Sequence, residues 1–94
     1  MKPAAILKTA VDLVKGDRAR HHGDHLVLHE RVADLWGSYL GADVTPEQVA
    51  FCMVLLKIAR SEVGGKNPDD GVDATAYTAI WASISEENNA RRSL

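Results

Sequence analysis

Apolar residues recur three and four positions apart through most of the chain, and no run alternates apolar with polar as a half-buried strand does. Four helices are predicted. The first covers about Pro3 to Lys15, where Ile6, Leu7, Ala10, Val11, Leu13 and Val14 make one stripe. Pro3 suits an early helical position and Gly16 the site just past the end. A polar segment follows, Gly16 to about Asp24, with almost no apolar side chain. The second helix covers about His25 to Leu40, with Leu28, Val32, Leu35, Trp36, Tyr39 and Leu40 as its buried face and Gly41 as its stop. Thr45-Pro46-Glu47-Gln48 opens the third: a capping threonine, a proline at the first position and a glutamine three after the cap. It runs to about Val63 and stops at Gly64-Gly65. Val49 to Leu56 is almost wholly apolar, which predicts a helix covered on several sides or facing a second subunit. Asn67-Pro68-Asp69-Asp70 opens the fourth, which extends to about Ser85 with Val72, Ala76, Tyr77, Ile80, Trp81 and Ile84 on its apolar side. Residues 1–85 read as a single helical domain, and 86–94 as a polar, frayed tail.

Composition narrows the class. Ninety-four residues make one small domain, and 46% hydrophobic with 26% charged residues is ordinary for a globular protein. A small helical core of this kind is often completed by oligomerisation, so a homodimer or larger assembly is expected. The net charge of −2 gives no basic footprint for duplex nucleic acid. No apolar run approaches the roughly 20 residues of a membrane span, and Met1 to Val14 lack the apolar core of a signal peptide. The lone Cys52 fits a reducing compartment, so a cytoplasmic location is expected. Its place in the apolar run predicts a packed thiol rather than a reactive one.

The polar residues are unevenly spread. All four histidines, His21, His22, His25 and His29, fall within nine positions. Glu30 and Asp34 follow, one turn apart. Asp69, Asp70 and Asp73 cluster at the start of the fourth helix, and Lys57 and Arg60 share a face near the end of the third. Two carboxylates from each of two helices can hold Mg²⁺ or Mn²⁺, hard ions that prefer oxygen ligands. Glu30, Asp34, Asp70 and Asp73 are the candidate metal ligands, with Glu30 and Asp34 also the candidate catalytic acids. Such an ion grips a polyphosphate and makes a bound water nucleophilic. Arg18, Lys57 and Arg60 are the candidate phosphate partners. The competing readings are ordinary: acids in a first turn complement the helix dipole, and cations in a last turn do the same. His25 and His29 are spaced as zinc-binding pairs are, but no His-Glu-x-x-His motif or cysteine pair accompanies them. No glycine-rich phosphate loop and no nucleophile elbow is present.

Several blocks, in order, resemble a family of small phage and prophage proteins. They are Gly16-Asp17-Arg18, His22-Gly23, the run from His29 to Gly41, Thr45 to Ala50, Met53 to Arg60, and Asp70-x-x-Asp73-x-x-Ala76-Tyr77. That family's function is largely unassigned. It is distantly similar to the all-α nucleoside triphosphate pyrophosphohydrolases of the MazG-like kind, which are oligomeric and hold Mg²⁺ on a Glu-x-x-Glu and a Glu-x-x-Asp pair. The resemblance implies that Asp70 and Asp73 stand for the second pair. The first pair departs from the pattern: Glu30 is followed by Ala33 at the expected place, with Asp34 one later. His22 stands beside Gly23 where an aromatic is expected, at a position that would contact the nucleotide. The expectation is therefore an all-α, MazG-like bundle of about four helices with a nucleotide site and Mg²⁺-dependent hydrolysis. Two rivals stand beside it: a phage protein that binds or sequesters a nucleotide without turning it over, and a protein-interaction module.

Overall fold

A computed structural model of the chain describes residues 1–16 and 24–92. Among the described residues there are four helices and no strand: α1 (Pro3–Lys15), α2 (His25–Leu40), α3 (Pro46–Val63) and α4 (Pro68–Arg92). Three of the four starts are capped by a side chain, and α1 opens on Pro3 without such a bond. Asp24 caps α2, its Oδ1 accepting from the backbone N–H of Leu26 (2.8 Å) and Val27 (3.2 Å). The capping box of α3 is complete: Gln48 N–H donates to Thr45 Oγ1 at 3.1 Å, and Thr45 N–H to Gln48 Oε1 at 3.0 Å. Asn67 Oδ1 accepts from Asp69 N–H at 3.0 Å at the start of α4.

α3 and α4 form the spine. Lys57 pairs with Asp73, Ala50 packs with Ile80 and Ile84, and Glu47 accepts from Asn88 at 2.9 Å. As one partner descends in number the other rises, so the two helices run antiparallel. α1 lies mainly on α4, and α2 mainly on α3. One buried cluster joins Ala10 to Val72 and Ala76, with Ile6, Leu13 and Val14 against it. A second joins Ala50 to Ile80 and Ile84, with Val14, Leu26 and Tyr77 against it. The expected face of α4 is therefore the buried one at Val72, Ala76, Ile80 and Ile84.

Four expectations are corrected. α4 does not end near Ser85 but continues to Arg92, and the bond from Asn88 to Glu47 ties its added turns to the start of α3. On α2 the buried positions are His29 and Ala33, while Leu35, Tyr39 and Leu40 are exposed. The inward face thus takes in His25, His29 and Ala33 beside Leu28, Val32 and Trp36 of the expected stripe, and leaves its other edge, Leu35, Tyr39 and Leu40, outside. Within one chain α3 is not covered on several sides: Val49 and Ala50 are buried, but Phe51, Leu55, Leu56 and Ile58 are about half exposed, so of the two expectations for this helix only the one that faces it toward a second subunit still stands as an expectation. Cys52 is exposed as well, in a shallow groove bordered by Phe51 and by Trp81 of α4.

The end of α2 depends on two glycines. Gly41 takes φ +66°, the left-handed region, and Ala42 N–H donates back to Gly37 O at 3.1 Å. A Cβ on Gly37 would lie 2.8 Å from Ala42 O. Alanine in a helix interior usually adds up to ~1 kcal/mol relative to glycine. Here Gly37→Ala is expected to lower the melting temperature instead, because the clashing atom is backbone and cannot turn aside. An unchanged or raised melting temperature would show that this closure is loose.

Candidate functional site

A cavity of ~370 Å³ opens between the four helices. That is the low end of the range for small-molecule sites, about 300–1,000 Å³. Its walls are mostly aliphatic, with Trp36 on one side, and four polar residues interrupt them: His25 and His29 from α2, Asp73 and Tyr77 from α4. His29 is 4% exposed. Its Nδ1 lies 2.7 Å from the carbonyl oxygen of His25, one turn back. A carbonyl only accepts, so Nδ1 carries the proton and donates. The Tyr77 ring meets the imidazole edge-on, with centroids 6.4 Å apart and planes at 61°. The Nε2 of His25 is buried and has no hydrogen-bond partner among the described residues, an unmet polar group at the cavity wall.

Burial pushes the His29 pKa below its ordinary 6.5; the bond to the His25 carbonyl pulls it back up, and the nearby His25 adds to the lowering. His29 is therefore neutral near pH 7. The sign for stability follows from linkage: between the lowered folded value and 6.5 the unfolded chain binds more protons, so stability falls as pH drops through that window. Melting temperatures recorded from pH 7 downward are expected to decline through this window, with a flatter profile for His29→Phe. Parallel profiles would show that other groups set the acid response.

The expected site residues fall in several places. Asp73 lines the cavity, and its Oδ2 accepts from Lys57 Nζ at 3.0 Å, with both side chains largely buried at 19% and 13% exposure. Asp70 is buried and faces a neighbouring groove with Lys57 and Lys66, near the turn between α3 and α4. Arg60 Nε reaches Asp70 Oδ1 only at 4.0 Å, from a mostly exposed side chain. Two of the three cations expected at phosphates thus sit beside two of the four acids expected at a metal. Asp34 is exposed in a separate groove at the end of α2, and Glu30 is half-buried on that helix. Among the described residues of one chain, no three His, Cys, Asp or Glu side chains converge as metal ligands, so the quartet of Glu30, Asp34, Asp70 and Asp73 is not assembled there. The physical reason is that the α4 acids turn toward the cations of α3, while Asp34 faces the surface near the end of α2. Arg18 and His22 lie outside the described residues, as does His21.

Sequence reasoning did not single out Tyr77 or the cavity itself. For the α2 wall of the cavity the signal was His29 followed by Ala33, a polar and a small residue at helical spacing; Tyr77 stood among the apolar residues of the fourth helix and gave none. The pattern of large apolar residues outweighed it.

Comparison with known proteins places the chain. Residues 5–85 match the family described as a domain of unknown function, DUF6378. The Gene 55 protein of Mycobacterium phage L5 is 46% identical over 77 residues, which are 81% of this chain and 49% of the relative. The Gene 55 protein of Mycobacterium phage D29 is 31% identical over 83 residues, 88% of this chain and 55% of the relative. The chain therefore spans about half the length of the curated relatives it matches. No solved structure matches it. No helix among the described residues is long and apolar enough to cross a membrane. Matched over residues 5–85, from the first of the four helices among its described residues into the last, the chain belongs to the DUF6378 family.

Proposed function

We propose that this chain binds a nucleotide or a closely related phosphate-bearing ring compound, the ring in the four-helix cavity and the phosphates in the adjoining groove. The Lys57–Asp73 ion pair carries the reading. Asp73 belongs to the cavity and Lys57 to the groove, so the pair stands at the boundary between a ring-sized apolar space and a groove edged by Lys57 and Lys66. A ring gains by leaving water against Trp36, Tyr77 and the aliphatic walls. Phosphate oxygens attract Lys57, Lys66 and Arg60 as charge-assisted acceptors.

Binding without turnover is the first form of this proposal; Mg²⁺- or Mn²⁺-dependent hydrolysis is the second. The spacing of Asp70 and Asp73 on one face of α4 favours the second form. Mg²⁺ needs only one or two protein carboxylates when substrate phosphates complete its shell. Asp70 and Asp73 fit that demand once Lys57 and Arg60 move from the acids to the phosphates. A bound ion would supply neutralisation of phosphate charge and an activated water. Lys57 would hold a phosphate oxygen, and the cavity would orient the base.

The test is calorimetry with nucleoside mono-, di- and triphosphates, with and without Mg²⁺, followed by pyrophosphate and phosphate analysis. Saturable binding without product supports the first form. Mg²⁺-dependent pyrophosphate release, lost in Asp73→Asn with helical circular dichroism retained, supports the second. No heat and no thermal shift with any nucleotide overturns both and leaves the protein-interaction reading.

A further inference from the structure

The wall of the cavity holds one polar group whose state is fixed by the chain itself. His29 Nδ1 is committed to the His25 carbonyl at 2.7 Å, which turns the opposite edge of the imidazole, bearing Nε2, away from its own helix. The edge-on Tyr77 ring holds the imidazole plane. With Nδ1 carrying the proton, Nε2 of the neutral ring is an acceptor. His29 is buried and lines the cavity, so water competes poorly for that acceptor. The remaining surroundings are aliphatic or aromatic, apart from Tyr77, His25 and Asp73.

We propose that His29 Nε2 selects rings that carry a lactam or imide N–H, as uracil, thymine and guanine do, over cytosine and adenine. This rests on the nucleotide reading above and adds the class of base to it. A ring N–H beside a carbonyl is a strong, in-plane donor for a single acceptor. Cytosine and adenine offer a ring-nitrogen lone pair at the equivalent place, which would face the lone pair of His29. A site with a buried hydrogen-bonding group rejects the analogue that leaves it unmatched far better than an apolar site rejects a change of shape. His29 thus acts on specificity, with no role in bond cleavage.

The experiment is calorimetry on the full chain with uridine, cytidine, guanosine and adenosine 5′-monophosphates. N3-methyluridine and N1-methylguanosine 5′-monophosphates, in which the N–H is replaced by N–CH₃, are included. Wild type is expected to bind the uridine and guanosine probes at least ~10-fold tighter than the others. His29→Phe is expected to level the series, and His29→Gln, which restores an acceptor, to recover part of the preference. Should His29→Phe fail to fold, ¹⁵N NMR of the wild type reads the same contact: the His29 Nε2 resonance moves on saturation with the uridine probe and not with its N-methyl form. Equal affinity for all probes, or an unmoved resonance, overturns the base assignment and leaves nucleotide binding intact. Binding of none overturns both.

Discussion

Ile84→Ala is expected to cost about 3 kcal/mol of stability, within the range for deleting a buried branched side chain. Ile84 is 2% exposed and packs with Ala50 and Ile80 where α4 crosses α3. Ala50 has no exposed surface and little side chain to move, so the missing atoms leave a void rather than a collapse. A domain of this size holds about 5–15 kcal/mol in all. The loss corresponds to a melting temperature lower by roughly 12–24 °C. Val63→Ala, at a site 92% exposed, is expected to change stability by less than about 0.5 kcal/mol. Urea unfolding of both variants checks this: equal midpoints would mean that the last turns of α4 are not docked.

Lys57→Met is expected to act twice. The ammonium lies 3.0 Å from a largely buried Asp73 carboxylate, so its removal strands a charge in a poorly solvated place. Breaking one side of a buried pair costs about 3–5 kcal/mol, and the partial exposure here lowers the figure to roughly 2 kcal/mol. The same substitution removes the cation at the cavity's edge. Affinity for a nucleoside monophosphate is expected to fall ~10-fold or more, while affinity for the matching nucleoside holds. Arg60→Met should do less in both respects, since Arg60 is mostly exposed and 4.0 Å from its acid. Parallel losses for nucleoside and nucleotide would take Lys57 away from the phosphates.

The helices were legible because their boundaries are chemical. Asp24, Thr45 and Asn67 each cap with an oxygen, and Gly41 and Gly64 mark two of the ends. The end of α4 was not, because Glu86 to Arg92 offers no large apolar residue by which periodicity could register, and its contact to Glu47 is polar. On α2, Leu35 and Tyr39 outweigh His29 and Ala33 in any hydrophobic count, yet small size at Ala33 and a satisfied Nδ1 at His29 decide the packed face. The pairing of Lys57 with Asp73 depends on α3 and α4 running antiparallel at one register. Sequence spacing within a helix carries no information about that offset.

α2 owes its position chiefly to α3, while His29 and Tyr77 join it to α4 across the cavity. Its backbone amides should therefore exchange with solvent through a sub-global opening cheaper than unfolding of the α3–α4 pair. Entry of the proposed ligand would need only this smaller excursion. A guest bonded to His29 and lying against Tyr77 would latch α2 shut, slowing deuterium uptake there more than along the spine.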